Sequence, residues 1–339
     1  MDKLLPSGRV TGIGSLPHLD ADEAIDFVAR FCPDIPFWPQ LPQLSPAEEL
    51  IPQMLSPLLD LVEGHSPARL EIRPGGFNDF RRALHEVSIA GFREDSATGF
   101  FAFEDACRAN LFAGAIALKG QIIGPFTLGW CLSHNGIPLA TLPDVYGELV
   151  TYLCHLASWQ IGQLKQFGKP VILFIDEPML ALRSTACYLV EGIKRLTESI
   201  CADGAYAGIH CCATPAPVSI CSLQPNIISF DAHAGLEALL SQPETRSFIE
   251  SNGCLAFGLV PTWSSLDSFS PTETFIRWIM AVSEMGSIQT MAEQSLITAS
   301  CGLGLLRVEA AQASFLKAAE LSQLIRKVAS QTTDRLAGF

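Results

Sequence analysis

A chain of 339 residues, 48% hydrophobic and 17% charged, is long enough for one large α/β barrel or two ordinary domains and too apolar for disorder. A formal net charge of -13 and a pI near 4.9 repel phosphate backbones and anionic lipid, which argues against nucleic acid or membrane as a partner. Eleven cysteines, with no signal-peptide core at the start and no apolar run near the ~20 residues of a membrane helix, point to free thiols in a reducing cytoplasm.

The first element is a short strand at Val10 that runs into Gly12-Ile13-Gly14-Ser15-Leu16-Pro17-His18. Asp20 and Glu23 then form a capping box for an apolar-periodic helix over 24–31, which Pro33 ends. This is either a plain strand–turn–helix joint or an anion site, with Ser15 and the Gly14 backbone offered to a carboxylate near a helix start. Residues 35–42, Pro-rich and aromatic around Trp38, read as a second strand and a rigid loop. Ser45 is the N-cap and Pro46 the first position of the next helix. Residues 64–113 read as an insertion or lid within a single domain over 1–339, with a strand at 69–73 and a helix over 78–90.

Residues 115–127 form a buried strand ending in Gly124-Pro125, and 143–166 have helical spacing. The apolar run 171–175 suits a parallel strand covered on both faces. It ends in Asp176-Glu177-Pro178, where a carboxylate either serves a site or caps the next turn. A helix over 188–200 precedes the strand ending in His210-Cys211-Cys212. Residues 226–233 run again from strand into acid, at Asp231. There follow a helix over 236–249, a strand into a Pro turn over 254–262, a helix over 275–285, a last strand over 295–304 carrying Cys301, and a closing helix over 308–328.

From residue 115 onward the rhythm is strand, polar tip, helix, as in a parallel β/α architecture. With two N-terminal strands and one near Arg69, about eight strands are available, as a (β/α)8 TIM barrel needs. Ser15, Asp176, His210, Cys212, Asp231 and Cys301 would then meet at the strand C-termini. Alternation puts His210 and Cys212 on one side of their strand and Cys211 on the other. A His and a Cys side by side are half a tetrahedral zinc site; the plainer reading is a buried thiol packing as a small hydrophobe. The glycines form no dinucleotide or phosphate-loop pattern.

Six motifs occur in one order: Gly12 to Pro17, Lys119-Gly120-Gln121-Ile122-Ile123-Gly124-Pro125, Ile175-Asp176-Glu177-Pro178, His210-x-Cys212, Ile228-Ser229-Phe230-Asp231 and Cys301-Gly302-Leu303. Together they resemble the C-terminal catalytic barrel of cobalamin-independent methionine synthase, in the wider group that includes corrinoid-linked thiol methyltransferases and uroporphyrinogen decarboxylase. The resemblance covers about the whole chain and leaves out the synthase's N-terminal half, as in a core-only relative. It implies zinc held by His210, Cys212 and Cys301, with Asp231 where the family has a glutamate and His233 as the runner-up for that place. It implies that Ser15, with Gly14, binds an amino-acid carboxylate and that Asp176 is catalytic and holds the ammonium. The family's acid after the second strand is missing from Trp38-Pro39-Gln40-Leu41-Pro42-Gln43, so either Glu48 or Glu49 stands in or the substrate differs. Trp38 or Trp263 would wall the pocket.

The implied reaction is methyl transfer to the thiol of homocysteine, forming methionine. The family's histidine after the strand at Phe257 is replaced by Leu259-Val260-Pro261-Thr262-Trp263. A departing folate amine needs a proton and a corrinoid does not, so the expected donor is a methyl-corrinoid, on a corrinoid protein, rather than methyl-folate. Three alternatives stand beside this. One is a methyltransferase for another small thiol, a sulfonate for example, which calls for a basic group near Ser15. Another is a uroporphyrinogen decarboxylase-like enzyme, which calls for arginines that 12–18 lack. The third is a non-catalytic thiol- or corrinoid-binding barrel with a structural zinc. Cys32, Cys107, Cys131, Cys154, Cys187, Cys201, Cys221 and Cys254 read as buried fillers.

Overall fold

The computed structural model describes residues 6–66, 69–86, 91–180, 186–213 and 219–330. Its strands are β1 (Arg9–Val10), β2 (Val62–Ser66), β3 (Arg69–Ile72), β4 (Leu118–Ile123), β5 (Leu132–His134), β6 (Ile137–Pro138), β7 (Val171–Asp176), β8 (Tyr206–Cys211), β9 (Ile227–Phe230), β10 (Cys254–Val260) and β11 (Ser295–Ala299). Seven form one sheet in the order β1-β11-β10-β9-β8-β7-β4, parallel at every pairing. Parallel neighbours need crossovers, and helices such as Pro143–Lys165 and Cys187–Ala202 supply them. Every residue of β4, β7, β10 and β11 is buried, as continuous apolar runs require.

The sheet has seven strands where eight are expected. Segment 35–42 forms no strand, because Pro36, Pro39 and Pro42 have no N–H to give a ladder. It makes isolated parallel bridges to both sheet edges instead, Phe37 with Lys119 and Gln40 with Ser15. The Trp38 N–H donates to the Lys119 carbonyl at 3.2 Å and the Gln40 N–H to the Gly14 carbonyl at 3.1 Å. Pairing changes edge across Pro39, so the sheet is curled, with one segment bonded to both of its edges. The expected strand at 69–73 is β3, and it lies in a separate sheet, β2-β3-β5-β6. Alternation marked it as a strand but could not say which sheet would receive it.

Two helices are shorter than their periodicity suggests. The stretch 236–249 divides into Ala232–Leu240 and Pro243–Glu250, with Pro243 starting the second helix. The helix expected over 78–90 is Phe77–Leu84, and 87–90 lie outside the described residues. Inside the curl, Ile13, Ala117, Ile172, Phe174, Ala256 and Leu296 pack together. Gly208 makes room there, since the Phe174 ring occupies the place a Cβ would take. This apolar layer closes the interior, so any site must lie beyond it, at the strand C-termini. Among the described residues no helix is long and apolar enough to cross a membrane.

Candidate metal centre and substrate cavity

Two strand tips bring a histidine and two cysteines together. His210 is the fifth residue of β8, Cys212 follows that strand, and Cys301 stands two residues past β11. One ligand atom from each lies within 4.8 Å of the others. A tetrahedral zinc with Zn–S near 2.3 Å places two sulfurs about 3.8 Å apart, so shifts of about an ångström close the group on an ion. Parallel pairing sets His210 beside Ser229 of β9, and His210 Nδ1 meets Ser229 Oγ at 2.9 Å. His210 Nε2 is buried with no hydrogen-bond partner. An Nδ1–H···Oγ bond leaves the Nε2 lone pair free, the tautomer a metal needs. A buried nitrogen without a partner is costly, and an ion would relieve that cost. The donor set therefore fits zinc. Cys211 points into the helix-facing core, as alternation predicts.

Asp231 is not part of this group. It caps the helix Ala232–Leu240, with Oδ1 accepting the Ala234 N–H at 3.0 Å and Oδ2 accepting Trp263 Nε1–H at 3.2 Å. His233, the runner-up, packs its ring against Trp263 with centroids 5.5 Å apart and is also outside it.

The three donors open on a cavity of about 460 Å³, whose lining includes Ser15, Gln40, Glu48, Glu49, Asp176 and Leu305. That volume lies in the ~300–1,000 Å³ range of small-ligand sites. Ser15 Oγ accepts the Gly304 N–H at 3.2 Å, and the Ser15 carbonyl accepts the Leu303 N–H at 3.0 Å. The hydroxyl proton remains free to donate into the cavity. A Cβ at Gly302 would displace Ser15 Oγ from its present position. Gly14 does not line the cavity; it carries the turn, and a side chain on it would meet Gln121 and Gln40. Asp176, paired in register with His210, is buried with Oδ1 unpartnered. Glu48 is spoken for by the protein, with Oε1 accepting the Thr98 N–H at 2.6 Å and Oε2 accepting Gln53 Nε2–H at 3.0 Å.

Trp38 does not wall the cavity. It is wholly buried, its Nε1–H donating to Gln160 Oε1 at 2.8 Å, on the face of segment 35–42 that meets Phe92 and Phe100. Trp263 is exposed and does not line the cavity; buried His18 and half-buried His134 do not line it either. No described residue of 64–113 lines the cavity. Among the predicted buried fillers, Cys187 is exposed, and Cys154, Cys201 and Cys221 are half-buried. Thr214, Pro215 and the side chain of His65 lie outside the described residues.

Burial pushes the Asp176 carboxyl above its ordinary range, against the pull of His210 and Lys119. Burial also raises Glu48 and Glu49. A hydrogen bond from Cys301 lowers the Cys212 thiol, and the same bond, with burial, raises Cys301. Cys212 is thus the more acidic sulfur of the pair.

Sequence reasoning missed Ser229, Gln40, Gln53 and Lys119. Lys119 is fully buried under the cavity, with Nζ donating to the Ile13 carbonyl at 2.6 Å and lying 4.4 Å from the Phe174 ring centroid. Burial pulls its ammonium well down. A lone charged residue in the strand Leu118–Ile123 was the available signal. Glu177, the other acid of Asp176-Glu177, is structural. It accepts from the Phe126 and Thr127 N–H groups and the Thr127 hydroxyl, at 2.9, 2.8 and 2.6 Å, at the start of the helix Pro125–Cys131.

No protein-family model matches the chain, and no curated protein matches it. Among solved structures it is similar to a B12-independent methionine synthase from a Shewanella species in complex with selenomethionine, at 13% identity and a TM-score of 0.47, over 66% of this chain and 67% of that one. It is also similar to a fungal β-1,4-galactanase, at 13% identity and 0.36, over 61% and 74%. A third similarity is to an endoglucanase catalytic domain from Xanthomonas campestris, at 8% and 0.30, over 65% and 88%. At these values none of the likenesses bears on activity.

Proposed function

We propose that this protein is a zinc-dependent thiol S-methyltransferase, built on a TIM barrel that segment 35–42 closes. It acts on homocysteine or a similarly small, amine-bearing thiol. The observation that carries this is the convergence of His210, Cys212 and Cys301 on the floor of a cavity, with an unpartnered Asp176 oxygen beside them. His210, Cys212 and Cys301 would hold the ion. Zinc, when bound, supplies thiolate at neutral pH by stabilising the anion of an incoming thiol. Ser15 donates its hydroxyl to the substrate carboxylate, and Asp176 receives the ammonium. Pro42, Leu50, Pro178 and Leu305 exclude water around them.

Among the described residues, the lining carries acids and no lysine or arginine. That favours a zwitterionic amino acid over a sulfonate thiol or a porphyrin polycarboxylate. An adjoining cavity beside three protein donors among the described residues favours catalysis over a merely structural zinc. For the donor we favour a methyl-corrinoid, because the loop after β10 brings no acid–base group to the cavity. Zinc-loaded protein given homocysteine with methylcobalamin or with methyl-folate tests the reading. Methionine from the corrinoid alone is expected. Efficient turnover of methyl-folate overturns the donor assignment, and no methionine from either overturns the activity.

A further inference from the structure

The loop after β10 ties together the two sides of the metal centre. The Thr262 N–H and hydroxyl both reach Ser300 Oγ at 3.1 Å, and Ser300 precedes the donor Cys301. The next residue, Trp263, gives its indole N–H to Asp231 Oδ2. Asp231 directly follows Phe230, the register partner of Cys211, so its carboxylate stands at the strand tip next to His210 and Cys212. Its other oxygen is held by the Ala234 N–H. Each oxygen has one donor, and both donors draw the carboxylate out of the three-residue group. The Trp263 ring rests on His233 yet is 64% exposed. A large apolar side chain left in water is poorly explained by packing.

We propose that Trp263 is a positioning residue, a latch whose N–H keeps Asp231 as a helix cap and reserves the fourth metal position for an incoming thiol. This rests on the zinc reading above. The reason is charge and access. Two thiolates already neutralise a dication, and a bound carboxylate would add negative charge and fill the position that the substrate sulfur needs. The helix cap alone holds Asp231 only weakly in this place. The indole hydrogen bond to its charged carboxylate holds it there more firmly.

Cobalt(II) loaded in place of zinc reports the ligand set through its visible bands, and homocysteine titrated against it reports thiol entry. Trp263→Phe is expected to change the resting cobalt spectrum toward an added oxygen ligand and to weaken homocysteine binding about ten-fold, the equivalent of one such hydrogen bond. Trp263→His, which keeps a ring N–H, restores the wild-type titration. In an Asp231→Ala background, Trp263→Phe changes nothing further. A Trp263→Phe protein with wild-type spectrum and titration overturns the latch, and so does an effect that persists without Asp231. If the wild-type protein takes up no cobalt, the metal reading falls and the latch with it. If it takes up cobalt and the variant matches it, the latch alone falls. Circular dichroism checks that the variants fold, as the exposure of Trp263 leads one to expect.

Discussion

Replacing Cys301 by Ser tests whether residues far apart in the chain hold one ion. Apparent binding energies of four-ligand structural zinc sites are about 10–16 kcal/mol, or about 2.5–4 kcal/mol per ligand. Here the described residues offer three donors within 4.8 Å of one another, so each carries a larger share than in a closed site. Serine keeps the shape but offers a poorly ionised oxygen. Cys301→Ser is therefore expected to weaken zinc binding by about 10²–10³-fold. Competition against a chromogenic chelator measures this, with the metal content of dialysed protein as a second readout. Cys187→Ser is the control, because Cys187 is exposed at the start of its helix and its loss should leave affinity unchanged. Wild-type affinity in Cys301→Ser would refute the shared site. So would a wild-type protein holding less than one zinc.

Ser229→Ala removes the partner that orients His210. Loss of such a support costs about 10–100-fold in metal affinity, and the same competition assay reads it. A smaller effect than Cys301→Ser, with the fold intact, is expected. The Asp176 carboxyl titrates above its ordinary range because it is buried. A substrate ammonium needs the ionised form. Homocysteine affinity should thus be full at neutral pH and fall as pH drops toward the usual carboxylate range, starting earlier than for an exposed aspartate. Asp176→Asn should remove this limb and raise KM, and an unchanged KM–pH profile would unseat Asp176. Trp38→Phe should lower stability by about 1–3 kcal/mol, since it strands buried Gln160 Oε1. Zinc affinity should not change, as Trp38 does not line the cavity; thermal melts and metal titrations separate the two effects.

Much of the fold and site is legible in the chain because the signals are local. A continuous apolar run such as 171–175 has nowhere to go but a strand covered on both faces. Period-two alternation separates His210 from Cys211 without coordinates. The rhythm of strand, polar tip and helix puts Ser15, Asp176, His210 and Cys301 at one end of a parallel sheet before any is seen there. Three things depended on contacts between distant residues. Whether 35–42 completes the sheet turned on prolines meeting two edges at once. Which sheet takes β3 turned on its neighbours β2 and β5. Whether Asp231 joins the donors or caps a helix turned on an indole 32 residues away. Hydrophobic period and turn chemistry act over a few residues, so the sequence by itself settles the elements and their polar tips. Hydrogen-bond partners chosen across the fold are settled only when the chain closes on itself, and the distances that make three side chains one site belong to that level.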